Sequence, residues 1–158
     1  MTTFELFSRT DQALETAQGR LRRLTADEVP SALRAGAFLV DIRSAAQRAN
    51  EGPLAGALVI ERNVFQWLCD PTNQARLPQA VDDDVQWIIV SSQGHTSSLA
   101  AAALADLGLH RATDVIGGYH ALAAAGHLVE PARSLALRVG VQQRTEAFSL
   151  DGGPRRWM

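Results

Sequence analysis

At 158 residues, 46% of them hydrophobic, and with a formal net charge of −2, the chain has the size of one domain with a real core and no general affinity for nucleic acid or anionic membrane. A single cysteine, Cys69, excludes an intramolecular disulfide framework and a cysteine-rich zinc site. No apolar run approaches the ~20 residues of a membrane helix, and the N-terminus lacks the basic start and apolar core of a signal peptide, so a cytoplasmic protein without membrane contact is expected.

Residues 1–23 read as an N-terminal arm holding one helix at 10–18, closed by Gly19. The basic stretch Arg20, Arg22 and Arg23 that follows is too short to point to nucleic acid. Thr25-Ala26-Asp27-Glu28 matches a capping box, with Thr25 at the N-cap and Glu28 reaching back. Pro30 falls in the first turn, where proline is tolerated, and the helix should stop at Gly36. Residues 37–42 read as a strand apolar on both faces, as parallel strands covered by helices are. A short helix over 44–51 is broken by Gly52-Pro53, 57–60 is a second buried strand, and 64–68 is a helical turn. Residues 69–84 are loop-like; their acidic run Asp82-Asp83-Asp84 reads as solvated rather than metal-binding.

Trp87-Ile88-Ile89-Val90 reads as a buried central strand. It feeds the loop Ser91-Ser92-Gln93-Gly94-His95-Thr96, and an Ala- and Leu-rich helix follows over 97–107, with Gly108 as its C-cap. A strand at 112–116, a Gly117-Gly118 turn and a helix at 119–125 ended by Gly126 complete the pattern. Residues 130–158 show no clean period and read as a C-terminal arm. Short strands alternating with helices predict an open α/β fold with a mainly parallel sheet, and the absence of an internal repeat excludes a tandem two-domain arrangement.

Strand, six-residue loop and helix N-terminus together make a pocket of backbone N–H groups suited to an anion. Amides of about 92–97 and the hydroxyls of Ser92, Thr96 and Ser97 are its candidate donors, Gln93, Gly94 and His95 complete the loop, and Thr96 or Ser97 also serves as N-cap. Sulfate, phosphate or thiosulfate fits such a nest, to which a helix dipole typically adds under about 1 kcal/mol at exposed sites. Arg62, just past the second strand, is the candidate cation at the rim, because ligands gather at the carboxyl ends of strands in open α/β sheets. The alternative is a surface arginine paired with Glu61 or a neighbour. The four histidines, at 95, 110, 120 and 127, show no metal-ligand spacing; His110, His120 and His127 read as surface or turn residues. Cys69 lies in an apolar turn and reads as a buried structural residue. No metal and no cofactor is expected. Gly-x-Ser-x-Gly is absent, so Ser91 is not set up as a hydrolase nucleophile.

Four stretches resemble the rhodanese-like family of sulfurtransferase domains. Leu39-Val40-Asp41-Ile42-Arg43 is similar to its strand ending in Asp-x-Arg, and Glu51-Gly52-Pro53-Leu54-Ala55-Gly56-Ala57 to its Gly-His-Ile-Pro-Gly-Ala turn. Val90 through Ser98 resembles its active-site loop, and Val115-Ile116-Gly117-Gly118-Tyr119 its final strand and double glycine. The resemblance covers about residues 24–129 and implies a rhodanese-like open parallel sheet of about five strands flanked by helices. It also implies that Asp41 ties the loops around the site with Arg43 as its partner, and that the family's nucleophilic cysteine falls at Ser91. Pro53, Ala55 and Leu122 depart from the family's turn His, turn Pro and last-helix aromatic, and Ser92, His95 and Thr96 stand where many members carry arginine in the loop. The small neutral Ser92-Gln93 pair is closer to loops associated with mercaptopyruvate than with thiosulfate.

By that resemblance the reaction runs through a cysteine persulfide. A thiol of pKa about 8.5 is lowered by a helix N-terminus and exchanges S–S bonds by attack at sulfur. A serine hydroxyl stays protonated in the same field, and oxygen forms no exchangeable persulfide. A phosphatase of the related Cys-x5-Arg type fails too, because Ser91 and Ser97 occupy those two places. The expectation is a rhodanese-like protein inactive in sulfur transfer as written. The alternatives are an anion- or partner-binding module and an active sulfurtransferase carrying an engineered serine. Expected partners are a small sulfur-containing or other anion and a thiol-bearing protein acceptor; Trp157 and the Phe4, Leu6 and Phe7 cluster offer a homodimer surface.

Overall fold

The computed structural model describes residues 7–127. Ser8 caps α1 (Arg9–Arg20), its hydroxyl accepting from the Asp11 N–H while the Asp11 carboxylate accepts from the Ser8 N–H. Gly19 lies within this helix rather than closing it. A 3-10 turn at Ala26–Glu28 leads into α2 (Val29–Arg34), and the Glu28 carboxylate accepts from the Thr25 N–H and hydroxyl. There follow β1 (Phe38–Asp41), α3 (Ala45–Glu51), β2 (Leu58–Val59) and α4 (Phe65–Cys69). After the long loop come β3 (Trp87–Val90), α5 (Thr96–Asp106), β4 (Thr113–Asp114) and α6 (Gly118–Ala124).

Among the described residues the sheet has four strands, all parallel, in the order β2-β1-β3-β4, where about five were expected. The chain at Leu24 runs beside β4 for a single bridge to Val115, because the capped turn starting at Thr25 bends it away at once. Strand alternation divides the core between two faces. Val40 and Ile42 with Trp87 and Ile89 meet Phe65, Leu68, Ala100 and Leu104 of α4 and α5. Leu39, Ile88 and Val90 meet Val29, Tyr119 and Leu122 of α2 and α6. Each fully buried Leu, Ile or Phe side chain contributes about 1.5–3 kcal/mol relative to exposure.

The helix assigned to an N-terminal arm lies along α5, with Ala17 buried and Gln18 Nε2 donating to Ser98 Oγ at 3.3 Å. Arg20 pairs with Asp106 at 2.5 Å at the far end of that contact. Of the apolar cluster read as a dimer surface, Phe7 is exposed; Phe4, Leu6, Trp157 and the C-terminal arm at 130–158 lie outside the described residues.

Candidate functional site

The loop 91–95 leaves the carboxyl end of the central strand β3 and enters α5 at Thr96. Its backbone is pinned against α6: Tyr119 N–H donates to the Ser91 carbonyl at 2.9 Å and His120 N–H to the Ser92 carbonyl at 3.2 Å. This close approach depends on two glycines. A Cβ at Gly118 (φ +59°) would overlap the Ser91 carbonyl oxygen, and one at Gly94 (φ +80°) would lie 2.7 Å from the Val115 carbonyl oxygen.

Behind the loop sits Asp114, fully buried at the end of β4. Its Oδ2 accepts from Ser97 Oγ at 2.8 Å and Ser98 Oγ at 2.6 Å. Arg23 grips the same carboxylate with Nε at 2.8 Å and Nη2 at 3.2 Å, and Nη2 also donates to the Gly94 carbonyl at 2.9 Å. The Ser97 hydroxyl is thus turned inward as scaffold, and only its N–H faces Ser91, donating to Ser91 Oγ at 3.2 Å.

In front of the loop is a cavity of about 370 Å³. Ser91, Ser92, Gln93, His95 and Thr96 line one side; Ile42, Arg43, Gln47 and Glu51 line the other. Gly94 and Ser97, expected among the donors, belong to the packed back of the loop. Among the described residues, the N–H groups of Ser92, Gln93, Gly94, His95 and Thr96 donate to no protein acceptor, and neither does the Ser91 hydroxyl proton. Arg62 is not part of this lining; its guanidinium stacks over the Phe65 ring at 4.8 Å, and partial burial draws its pKa down. Residues 60–64 connect the two-residue β2 to α4, whose first residue, Phe65, puts that ring within reach.

Asp41 and Arg43 are both fully buried side chains and form a bidentate pair, Nε to Oδ1 at 3.0 Å and Nη2 to Oδ2 at 2.8 Å. The guanidinium also donates to the Gly52 carbonyl at 2.9 Å and to Glu51 Oε1 at 3.3 Å, and it stacks on Tyr119 at 3.9 Å. Burial pulls the Arg43 pKa down, but hydrogen bonds and charge from Asp41, then Glu51, outweigh it and hold it above its ordinary value.

Glu51 completes the front wall. Ser92 Oγ donates to its Oε1 at 2.8 Å, and His120 Nε2 lies 2.9 Å from its Oε2. The Ser92 hydroxyl holds the carboxyl below its ordinary range, burial opposes this, and Arg43 and His120 add to the lowering. Sequence reasoning did not single out Glu51, Asp114 or Arg23, and it placed His120 at the surface, where it is exposed yet bonded to the cavity wall. An aspartate ending a buried strand is the one local signal that points to Asp114, as it does to Asp41. Cys69 is fully buried among the α4 core residues, away from this cavity, and burial pushes its thiol far up. Among the described residues no cluster of His, Cys, Asp and Glu is placed to hold a metal ion, and no helix is long and apolar enough to cross a membrane.

The family model described as the rhodanese-like domain matches residues 25–125, nearly two thirds of the chain. The chain belongs to the rhodanese-like domain family. Among curated proteins none matches the sequence. Two solved structures are similar to it. One is a protein of unknown function from Rhodopseudomonas palustris CGA009, described as a possible tyrosine phosphatase; it is 23% identical, with a TM-score of 0.68 over 82% of this chain and 97% of that one. The other is the reduced CoADR-RHD of Bacillus anthracis, 18% identical with a TM-score of 0.49, of which 16% is covered by 66% of this chain. The first supports the α/β architecture of this rhodanese-like domain.

Proposed function

We propose that this rhodanese-like domain does not transfer sulfur and that the cavity in front of its loop binds a ligand through an oxyanion. The observation that carries this reading is Ser91. It occupies the base of the cavity at the end of β3, takes the Ser97 N–H on its Oγ, and presents a hydroxyl to which, among the described residues, no basic group is bonded. The same N–H would stabilise a thiolate at this place; on a serine it stabilises a neutral oxygen that cannot carry sulfur. Glu51, the nearest carboxylate of the wall, accepts from Ser92 and not from Ser91. Cys69 offers no substitute, being buried elsewhere as a protonated thiol.

Four amides of lining residues, those of Ser92, Gln93, His95 and Thr96, have no protein acceptor among the described residues, and with the Ser91 hydroxyl proton they support oxyanion binding, α5 adding the positive end of its dipole. The phosphatase description of the Rhodopseudomonas palustris neighbour does not carry over, since Ser91 and Ser97 stand where a nucleophilic thiolate and a phosphate-binding guanidinium would be needed. The completeness of the network behind the loop favours one second reading, that of a sulfurtransferase site silenced at a single atom by a natural or engineered serine.

Intact-mass measurement after incubation with thiosulfate or mercaptopyruvate tests the first half of the proposal: no sulfur is added to the chain. Melting curves in a panel of small oxyanions test the second, because a ligand at about 100 times its Kd stabilises the native state by about 2.7 kcal/mol. Sulfur retained on the chain would overturn the inactive reading, and a flat panel the binding reading.

A further inference from the structure

We infer that Glu51 sets the charge class of the ligand, so that the cavity takes a monoanion bearing an ammonium group in preference to a compact dianion such as sulfate or thiosulfate. This rests on the binding reading above and extends it from an oxyanion alone to the whole ligand.

The loop side of the cavity offers the unpaired amides of Ser92, Gln93, His95 and Thr96 and the proton of Ser91, a residue more than nine-tenths buried whose hydroxyl proton meets no acceptor among the described residues. The facing wall offers an acceptor, the Glu51 carboxylate, whose side chain keeps 18% of its surface exposed. A carboxylate has about four lone-pair sites. Ser92 and Arg43 take two on Oε1 and His120 takes one on Oε2, which leaves one on Oε2 for a further donor.

The charges point the same way. Asp41 and Glu51 set two formal negative charges against Arg43 in one ion-paired cluster, and Arg48, whose guanidinium donates to the Arg43 carbonyl, is not among the residues lining the cavity. Arg43 offers a ligand no direct contact, because its side chain has no exposed surface and four of its five N–H groups go to Asp41, Glu51 and the Gly52 carbonyl. Among the described residues, no other arginine or lysine lines the cavity. Titratable groups around Glu51 are Arg43 on its own side, His120 from α6 and His95 across the cavity. A dianion on the loop amides would sit beside an ionised carboxylate without a cavity-facing cation to balance it. An ammonium group placed against Oε2 turns that repulsion into attraction while the oxyanion stays on the amides.

Taurine, isethionate and sulfate separate these cases. The first two differ only in an ammonium in place of a hydroxyl, and both carry one sulfonate. Titration calorimetry at about pH 8, above the ordinary imidazole range, would be run on the full chain and on Glu51→Gln, with melting curves confirming that the variant is folded. The expected result is taurine tighter than isethionate and sulfate by about tenfold in the parent, and loss or reversal of that order in Glu51→Gln, with sulfate gained. A carboxylate that only braced Ser92 would weaken all three probes together. If all three bind the parent equally, the role of Glu51 falls while the binding cavity stands. If none binds either protein, the binding reading itself falls and takes this inference with it.

Discussion

The two sides of the loop 91–95 are built on different terms. Behind it, Asp114 accepts from Arg23, Ser97 and Ser98, so the polar groups there are spent on one another in a buried setting. In front of it, the amides of Ser92, Gln93, His95 and Thr96 and the Ser91 proton are left without partners among the described residues, on residues that line the cavity opposite Glu51. The back fixes where the loop lies; the front holds unspent hydrogen-bonding capacity. A substitution at Ser91 is therefore expected to alter the front of the loop and leave the scaffold behind it undisturbed.

The difference is broken most severely from behind. Asp114→Ala leaves the largely buried Arg23 guanidinium and two buried hydroxyls without their acceptor, and removing one partner of such a pair costs about 3–5 kcal/mol. Urea denaturation should show a loss of that size. A loss no greater than that of an exposed substitution would mean that the back does not hold the loop. Gly118→Ala is the next largest: it forces a Cβ into the Ser91 carbonyl at a positive φ, and about 1–3 kcal/mol should disappear from the same measurement, together with ligand-induced stabilisation.

The front is expected to behave in the opposite way. Glu51→Gln should cost about 1 kcal/mol or less at neutral pH, since it trades charged hydrogen bonds for neutral ones at a partly exposed site. Its signature lies in pH. The folded pKa of Glu51 is below the ordinary value near 4.3, so its stabilisation is present above that value and is lost as pH falls through the folded pKa. In a His120→Ala background, which removes the imidazole contact with Glu51 Oε2, the stability gap between the chain that keeps Glu51 and the one carrying Glu51→Gln should close steadily from about pH 5 downward. A gap that stays constant down to about pH 3 would contradict the charge assigned to this wall.

Much of the fold was legible because the signals are local. The apolar runs 87–90 and 37–42 gave β3 and β1, the Thr25–Glu28 capping box and Ser44 marked helix starts, and the order of elements gave the parallel sheet that the family model also supports. The sheet edge was less legible, since whether Leu24 makes a strand or one bridge depends on how quickly the capped turn at Thr25 diverts the chain. The loop itself was readable from strand, glycine and helix start. Its supports were not: Arg23 reaches Asp114 across 91 positions and Ser92 reaches Glu51 across 41, distances at which no periodicity speaks. Arg62 shows the same limit from the other side, because its position at a strand end says nothing about the Phe65 ring that holds its guanidinium.

The most direct test is thiocyanate formation from cyanide with thiosulfate or mercaptopyruvate, for this chain beside a folded Ser91→Cys variant. Turnover in the variant and none in the serine form is the predicted result, placing the silence in one atom of an otherwise formed site. Thiocyanate produced by the serine form at the variant's rate would contradict the central claim that Ser91 removes sulfur transfer.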